Sequence, residues 1–116
     1  MGKLSGKRVY LSGPMTGRPD LGRRAFNEAH RLCLRAGATH VFNPASKWAA
    51  GRGHGWYMRH DLHELMRSTR PDGKPYYDVL VSLPGWDMSD GAYLERLVAE
   101  ECEIECMGLR EATGNG

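Results

Sequence analysis

The stretch "YYDVLVSLPG", Tyr76 to Gly85, decides the fold. Tyr76 to Leu83 is almost continuously apolar, and Pro84-Gly85 ends it. A strand that is apolar at successive positions is covered on both faces, which is the pattern of a central strand in a parallel sheet. Before it, "TRPDGKP" from Thr69 to Pro75 reads as a loop, and "WYMRHDLHELMRS" from Trp56 has helical spacing through Leu62, Leu65 and Met66. A polar, glycine-containing loop spans Ala45 to Gly55, and Thr39 to Phe42 reads as a strand stopped by Asn43-Pro44. Further back, Ala25, Ala29, Leu32, Cys33 and Ala36 recur at helical spacing up to Gly37, and Arg8 to Ser12 reads as a first strand. After the central strand, a last helix is predicted from about Gly91 to Met107, with Ser89 or Asp90 as N-cap. Strands alternating with helices specify a parallel α/β sheet.

The totals bound the rest. A chain of 116 residues suits one domain, with its core over about 8–107 and a weakly apolar tail over 108–116. An apolar fraction of 41% and a charged fraction of 26% are those of an ordinary globular protein. The 16 basic and 14 acidic residues leave a formal charge of +2, and no long run of one sign occurs, so neither charge nor pattern calls for a nucleic-acid polymer. Three cysteines, with neither a secretory leader nor an 18-residue apolar stretch, predict a cytoplasmic protein with free thiols and no membrane association.

In open parallel sheets ligands bind beyond the carboxyl ends of the strands. That rule selects two stretches, "SGPMTG" (Ser12 to Gly17) and "PGWDMSDGAYLE" (Pro84 to Glu95). The first offers Ser12, Gly13, Met15, Thr16 and Gly17, followed by Arg18, as a cradle for a sugar or phosphate; its other reading is ordinary turn chemistry. Neither stretch matches the P-loop or the dinucleotide fingerprint, so no nucleotide cofactor is predicted. The second stretch supplies Glu95, about one turn into the last helix, either at the site mouth or as a solvated helix carboxylate. Ser89 and Gly91 sit at that helix start, where hydroxyl and amide donors suit an anion. Asp78 adjoins the most apolar strand; it is either buried with a partner or exposed at the strand's first end. Trp56, Tyr57 and Trp86 are candidates to stack on a base, or to fill the core. His60, Asp61 and His63 lack the HExxH spacing and read as the start of a helix, while Cys102 and Cys106, at i and i+4 of the last helix, read as thiols without a metal.

"VYLSGPMTG" at Val9 to Gly17, "NPA" at Asn43 to Ala45, "WYMRHDL" at Trp56 to Leu62 and "DVLVSLPGWDMSDGAYLE" at Asp78 to Glu95 together resemble the DUF4406 family of small phage and bacterial proteins. That family is similar in turn to the nucleoside 2-deoxyribosyltransferases and the deoxynucleoside 5′-monophosphate N-glycosidases. The resemblance implies a flavodoxin-like (Rossmann-like) three-layer sandwich with a mostly parallel sheet of four or five strands. It implies cleavage or transfer of the bond between a nucleobase and its sugar. Glu95, at the end of an S-x-G-x-x-x-E element with Ser89 and Gly91, stands where such enzymes carry their nucleophile. Tyr10 would orient it, Asp78 would lie near sugar and base and act as the acid that assists departure of the base, and Met15, Thr16 and Gly17 would line the sugar and phosphate side. The implied ligand is a small nucleoside or nucleotide, and the implied assembly is a homodimer or a higher even-numbered oligomer. A non-catalytic nucleotide-binding module for sensing or sequestration is the other function this sequence suits.

Overall fold

The computed structural model describes residues 2–15, 20, 22–47, 52–68 and 70–114. Strand β1 (Arg8–Ser12) leads to helix α1 (Arg23–Arg35), then β2 (His40–Phe42). A 3₁₀ turn at Pro44–Lys47 and helix α2 (His54–Leu65) precede β3 (Val79–Ser82). A second 3₁₀ turn at Trp86–Met88 enters α3 (Asp90–Glu101), which is followed by β4 (Glu105–Gly108) and the short α4 (Leu109–Thr113). The four strands are all parallel in the order β2-β1-β3-β4.

The strands explain the layers. In β1 side chains alternate, so Val9 and Leu11 point to one face and Tyr10 to the other. Val9, Leu11, Val79, Val81 and Met107 bury one face of the sheet against Phe26, Ala29 and Cys33 of α1 and Leu109 and Ala112 of α4. Tyr10, Phe42 and Leu80 bury the other face against Leu65 of α2, Ala99 of α3 and Ile104. The result is a flavodoxin-like sandwich of three layers, and it accounts for the unbroken apolar run in β3, whose four residues are all buried.

Several boundaries differ from the sequence reading. The last helix stops at Glu101, because Glu103 adopts a left-handed φ of 63° and turns the chain. Amides of Glu103 and Ile104 close that end onto the carbonyls of Glu100 and Ala99. This is the bonding pattern with which Gly37 and Ala38 close α1 onto Leu34 and Cys33. At the end of α1 the left-handed residue is a glycine, the sequence signal for a stop; at the end of α3 it is a glutamate, which carries none. Cys106 therefore lies on β4 and does not share a helix face with Cys102. Residues 109–113, in the stretch that reads as a weakly apolar tail, form α4. The central strand is shorter than its apolar run, because Tyr76 and Tyr77 pack as aromatic neighbours of His40 ahead of β3.

From β1 the chain moves to one side to reach β2, then returns across β1 to reach β3. The carboxyl ends of β1 and β3 thus flank the switch point of the sheet, where connections diverge and leave a crevice.

Candidate functional site

Tyr10 and Ser12 are two residues apart on β1, so both hydroxyls face the layer of α2 and α3. Glu95 comes from α3 to meet them. The Tyr10 hydroxyl donates to Glu95 Oε2 at 2.6 Å, and Ser12 Oγ donates to Oε1 at 2.6 Å. All three are buried, Glu95 at 6% exposure. The Tyr10 hydroxyl also lies 3.1 Å from the main-chain oxygen of Asp61 in α2, a second acceptor for its one proton.

Above this bridge opens a cavity of about 220 Å³. Gly13 and Met15 line it from the turn after β1. Arg52, His54, Tyr57, Met58 and Asp61 line it from the side of α2, and Ser89, Gly91, Ala92 and Glu95 from the start of α3. An adjoining open groove shares His54, Ser89 and Gly91 and adds Pro14, Gly85, Met88 and Asp90. At Gly91 α3 packs close to side chains of α2: a Cβ there would come within 3.0 Å of Met58 Sδ and 3.3 Å of His54 Cε1.

Two carboxyl groups stand in this cavity. Burial pushes Glu95 up to about 7, against the pull of the Ser12 and Tyr10 hydrogen bonds, and the nearby Asp61 charge adds to the rise. Burial likewise pushes Asp61 up to about 7, assisted by the charge of Glu64. Tyr10, buried beside both, is held well above its usual range and stays protonated. At neutral pH such a pair favours holding one proton between them, an arrangement that separates a nucleophile or base from an acid.

These raised values tie stability to pH. A carboxyl with a raised value in the folded state binds protons more tightly there than in the unfolded chain, so its contribution is fully present below about 4.5 and is lost as pH rises through 7. For Glu95 the difference amounts to about 3 kcal/mol. Urea midpoints should therefore fall between pH 5 and pH 8.5, and Glu95→Gln should flatten that slope. A wild-type midpoint independent of pH would show that neither carboxyl is desolvated.

The other sequence candidates are placed as follows. Ser89 caps α3, its Oγ accepting from the Ala92 amide at 3.3 Å, and it borders both cavity and groove. Gly13 packs against Leu83 so closely that a Cβ would lie 2.8 Å from the leucine Cβ. Thr16, Gly17 and Arg18 lie outside the described residues. Trp86 does not line the cavity; it stacks on Tyr93 with centroids 6.0 Å apart, and the Arg96 guanidinium lies 4.5 Å over its ring.

Asp78 requires a correction. It is half-buried at the amino end of β3, where Oδ2 accepts from the Arg8 amide at 2.9 Å and Oδ1 lies 3.3 Å from Arg70 Nη1. Arg8 begins β1 and Ser12 ends it, about 13 Å farther along the strand, so Asp78 stands at the opposite end of the sheet from its carboxyl edge. The second acid of the cavity is Asp61. The sequence placed it near the start of a helix, whereas it lies eight residues in and is buried. Its signal was phase: Asp61 is four residues before the buried Leu65 and so shares its inward face.

Among the described residues no group of three or more histidine, cysteine or acidic side chains could hold a metal ion. No helix among them is long and apolar enough to cross a membrane. Comparison with curated proteins and with solved structures yields no match. A family model described as "Domain of unknown function (DUF4406)" matches residues 7–107, from the start of β1 into β4 and across Tyr10, Ser12, Asp61 and Glu95. This chain belongs to the DUF4406 family.

Proposed function

We propose that this protein cleaves or transfers the N-glycosidic bond of a nucleoside, a deoxynucleoside or the corresponding 5′-monophosphate. The observation that carries the reading is Glu95: a buried carboxylate fixed through both oxygens by Tyr10 and Ser12, opening onto a cavity that holds a second buried acid. Two hydroxyl donors leave the glutamate one rotamer, and the carboxylate faces its ligand without a water shell to displace.

In the first step a Glu95 oxygen attacks the anomeric carbon, and the bond from that carbon to the base nitrogen breaks with its electron pair going to the base. Asp61 gives its proton to the departing base. The transition state has oxocarbenium character, which the carboxylate stabilises. In the second step water, or a second base, attacks the glycosyl ester; its proton goes to the Asp61 carboxylate and Glu95 is released. Burial pushes both carboxyls up to about 7, and the twin hydrogen bonds that favour an ionised Glu95 assign the shared proton to Asp61, so the two roles divide between the carboxyls. The likeness of the Ser89, Gly91 and Glu95 element to nucleoside deoxyribosyltransferases supports the same assignment. The test is release of free base, followed by chromatography, from a panel of nucleosides and 5′-monophosphates. Binding without release would favour a nucleotide-binding module.

We further take the protein to act as an even-numbered homo-oligomer. Met88, which lines the groove, and Tyr93, Leu94 and Leu97 of α3 expose apolar surface. Light scattering at tens of micromolar should return a dimer or tetramer mass, and a monomer mass would reject the assembly.

A further inference from the structure

Besides Asp61, the cavity wall opposite α3 carries residues that the chemistry at Glu95 does not use. His54, Tyr57, Met58 and Asp61 all line the cavity and follow one another on α2 at i, i+3, i+4 and i+7. They form one stripe of the helix, rising about 10 Å from Asp61 to His54. Arg52, two residues before the helix, extends the stripe into the same cavity. Its guanidinium lies 5.3 Å over the ring of Trp56, and among the described residues it makes no ion pair with a carboxylate. Trp56 is itself stacked on His60 at 5.2 Å, so the guanidinium rests on a supported aromatic face.

This inference rests on the function proposed above, which orients the ligand. The anomeric carbon must meet Glu95, and the leaving nitrogen must lie toward Asp61. The base then extends along the α2 stripe, and the 5′ side of the sugar faces the groove at Pro14 and Ser89. Met58 and the ring of Tyr57 present the apolar surface on which a planar base packs. His54, Tyr57 and Ser89 can each donate or accept a hydrogen bond, but a guanidinium only donates.

We propose that this stripe is the leaving-group wall and that Arg52 selects nucleobases with an oxo group, not an amino group, on the edge away from the sugar. An amino group there would face a donor with a donor and leave both unpaired, a mismatch that a polar site rejects far more strongly than a missing methylene.

Matched pairs test the assignment: inosine against adenosine, and uridine against cytidine, each differing at that edge. Affinities are read by calorimetry in the Glu95→Gln background, where turnover does not deplete the ligand, with and without Arg52→Ala. The oxo member of each pair should bind about 10- to 100-fold tighter. Arg52→Ala should bring the ratio near one by weakening the oxo members and relieving the mismatch with the amino members. Arg52 is exposed, so the substitution should leave thermal unfolding unchanged. Equal affinity within both pairs, equal weakening of all four ligands, absence of binding, or a loss confined to 5′-monophosphates would each overturn the assignment, the last by placing Arg52 on the phosphate. The two readings fail separately. A preserved affinity ratio without base release by wild type would reject the glycosidic chemistry and keep the wall; base release without the ratio would reject the wall alone.

Discussion

Glu95→Gln should fold as the wild type does and lose base release by a factor on the order of 10⁴ to 10⁶. The folding half of this result follows from hydrogen-bond accounting. In the variant the amide oxygen still accepts from Ser12, the position of Oε1 at 2.6 Å. The amide nitrogen takes the place of Oε2 and donates to the Tyr10 hydroxyl, which turns its own proton to the Asp61 carbonyl 3.1 Å away. Every polar atom keeps a partner, and a desolvated charge is removed, so stability above pH 7 should rise. The catalytic half follows from chemistry. A neutral amide neither forms the glycosyl ester nor stabilises positive charge at the anomeric carbon. Base release that survives intact in Glu95→Gln would remove the glutamate from the reaction and leave a ligand-binding protein.

Asp61→Asn should cost about 10²- to 10⁴-fold, and the loss should depend on the base. A base that departs easily without protonation should be the least affected, because only the acid step is removed. The pH profile gives an independent readout. In the wild type kcat/KM should be bell-shaped and centred near pH 7: the acid limb reports ionisation of the pair to its reactive form and the alkaline limb reports loss of its last proton. An asparagine side chain carries no titrating proton, so in Asp61→Asn the alkaline limb should disappear while the acid limb remains. A full rate in Asp61→Asn, or an unchanged bell, would move the acid elsewhere in the cavity. The side chain of Asp61 has His60 Nδ1 at 3.4 Å as its neighbour, a contact an asparagine also makes, so a gross folding defect is not expected.

The layering of this fold was legible in the sequence because burial on both faces of a parallel sheet leaves a direct mark. The run Val79 to Leu83 could sit nowhere but in the middle, and β1 was readable to its ends because glycine and proline follow it at once. Glu95, Ser89 and Gly91 were legible as a group for a similar reason, a cap, a glycine and a carboxylate at fixed helical spacing. What the chain alone left open were positions decided by partners distant in sequence. Asp78 looked costly beside an apolar strand, yet it lies where Arg8 supplies an amide and Arg70 a guanidinium, at the amino end of the sheet. Asp61 looked ordinary among histidines, because α2 turns toward a cavity and its inward face is therefore a mixture of polar and apolar residues. A helix facing solid core writes its phase in apolar residues, as α1 does with Phe26, Ala29 and Cys33; a helix facing a cavity does not. Local sequence thus determined the first three strands and most of the helix starts, while β4 was hidden in a helical reading and the candidate nucleophile came from the family resemblance. The choice of the second acid belonged to the tertiary structure, since only the crossing of β1 by the chain on its way from β2 to β3 brings α2 over Tyr10 and sets Asp61 beside Glu95.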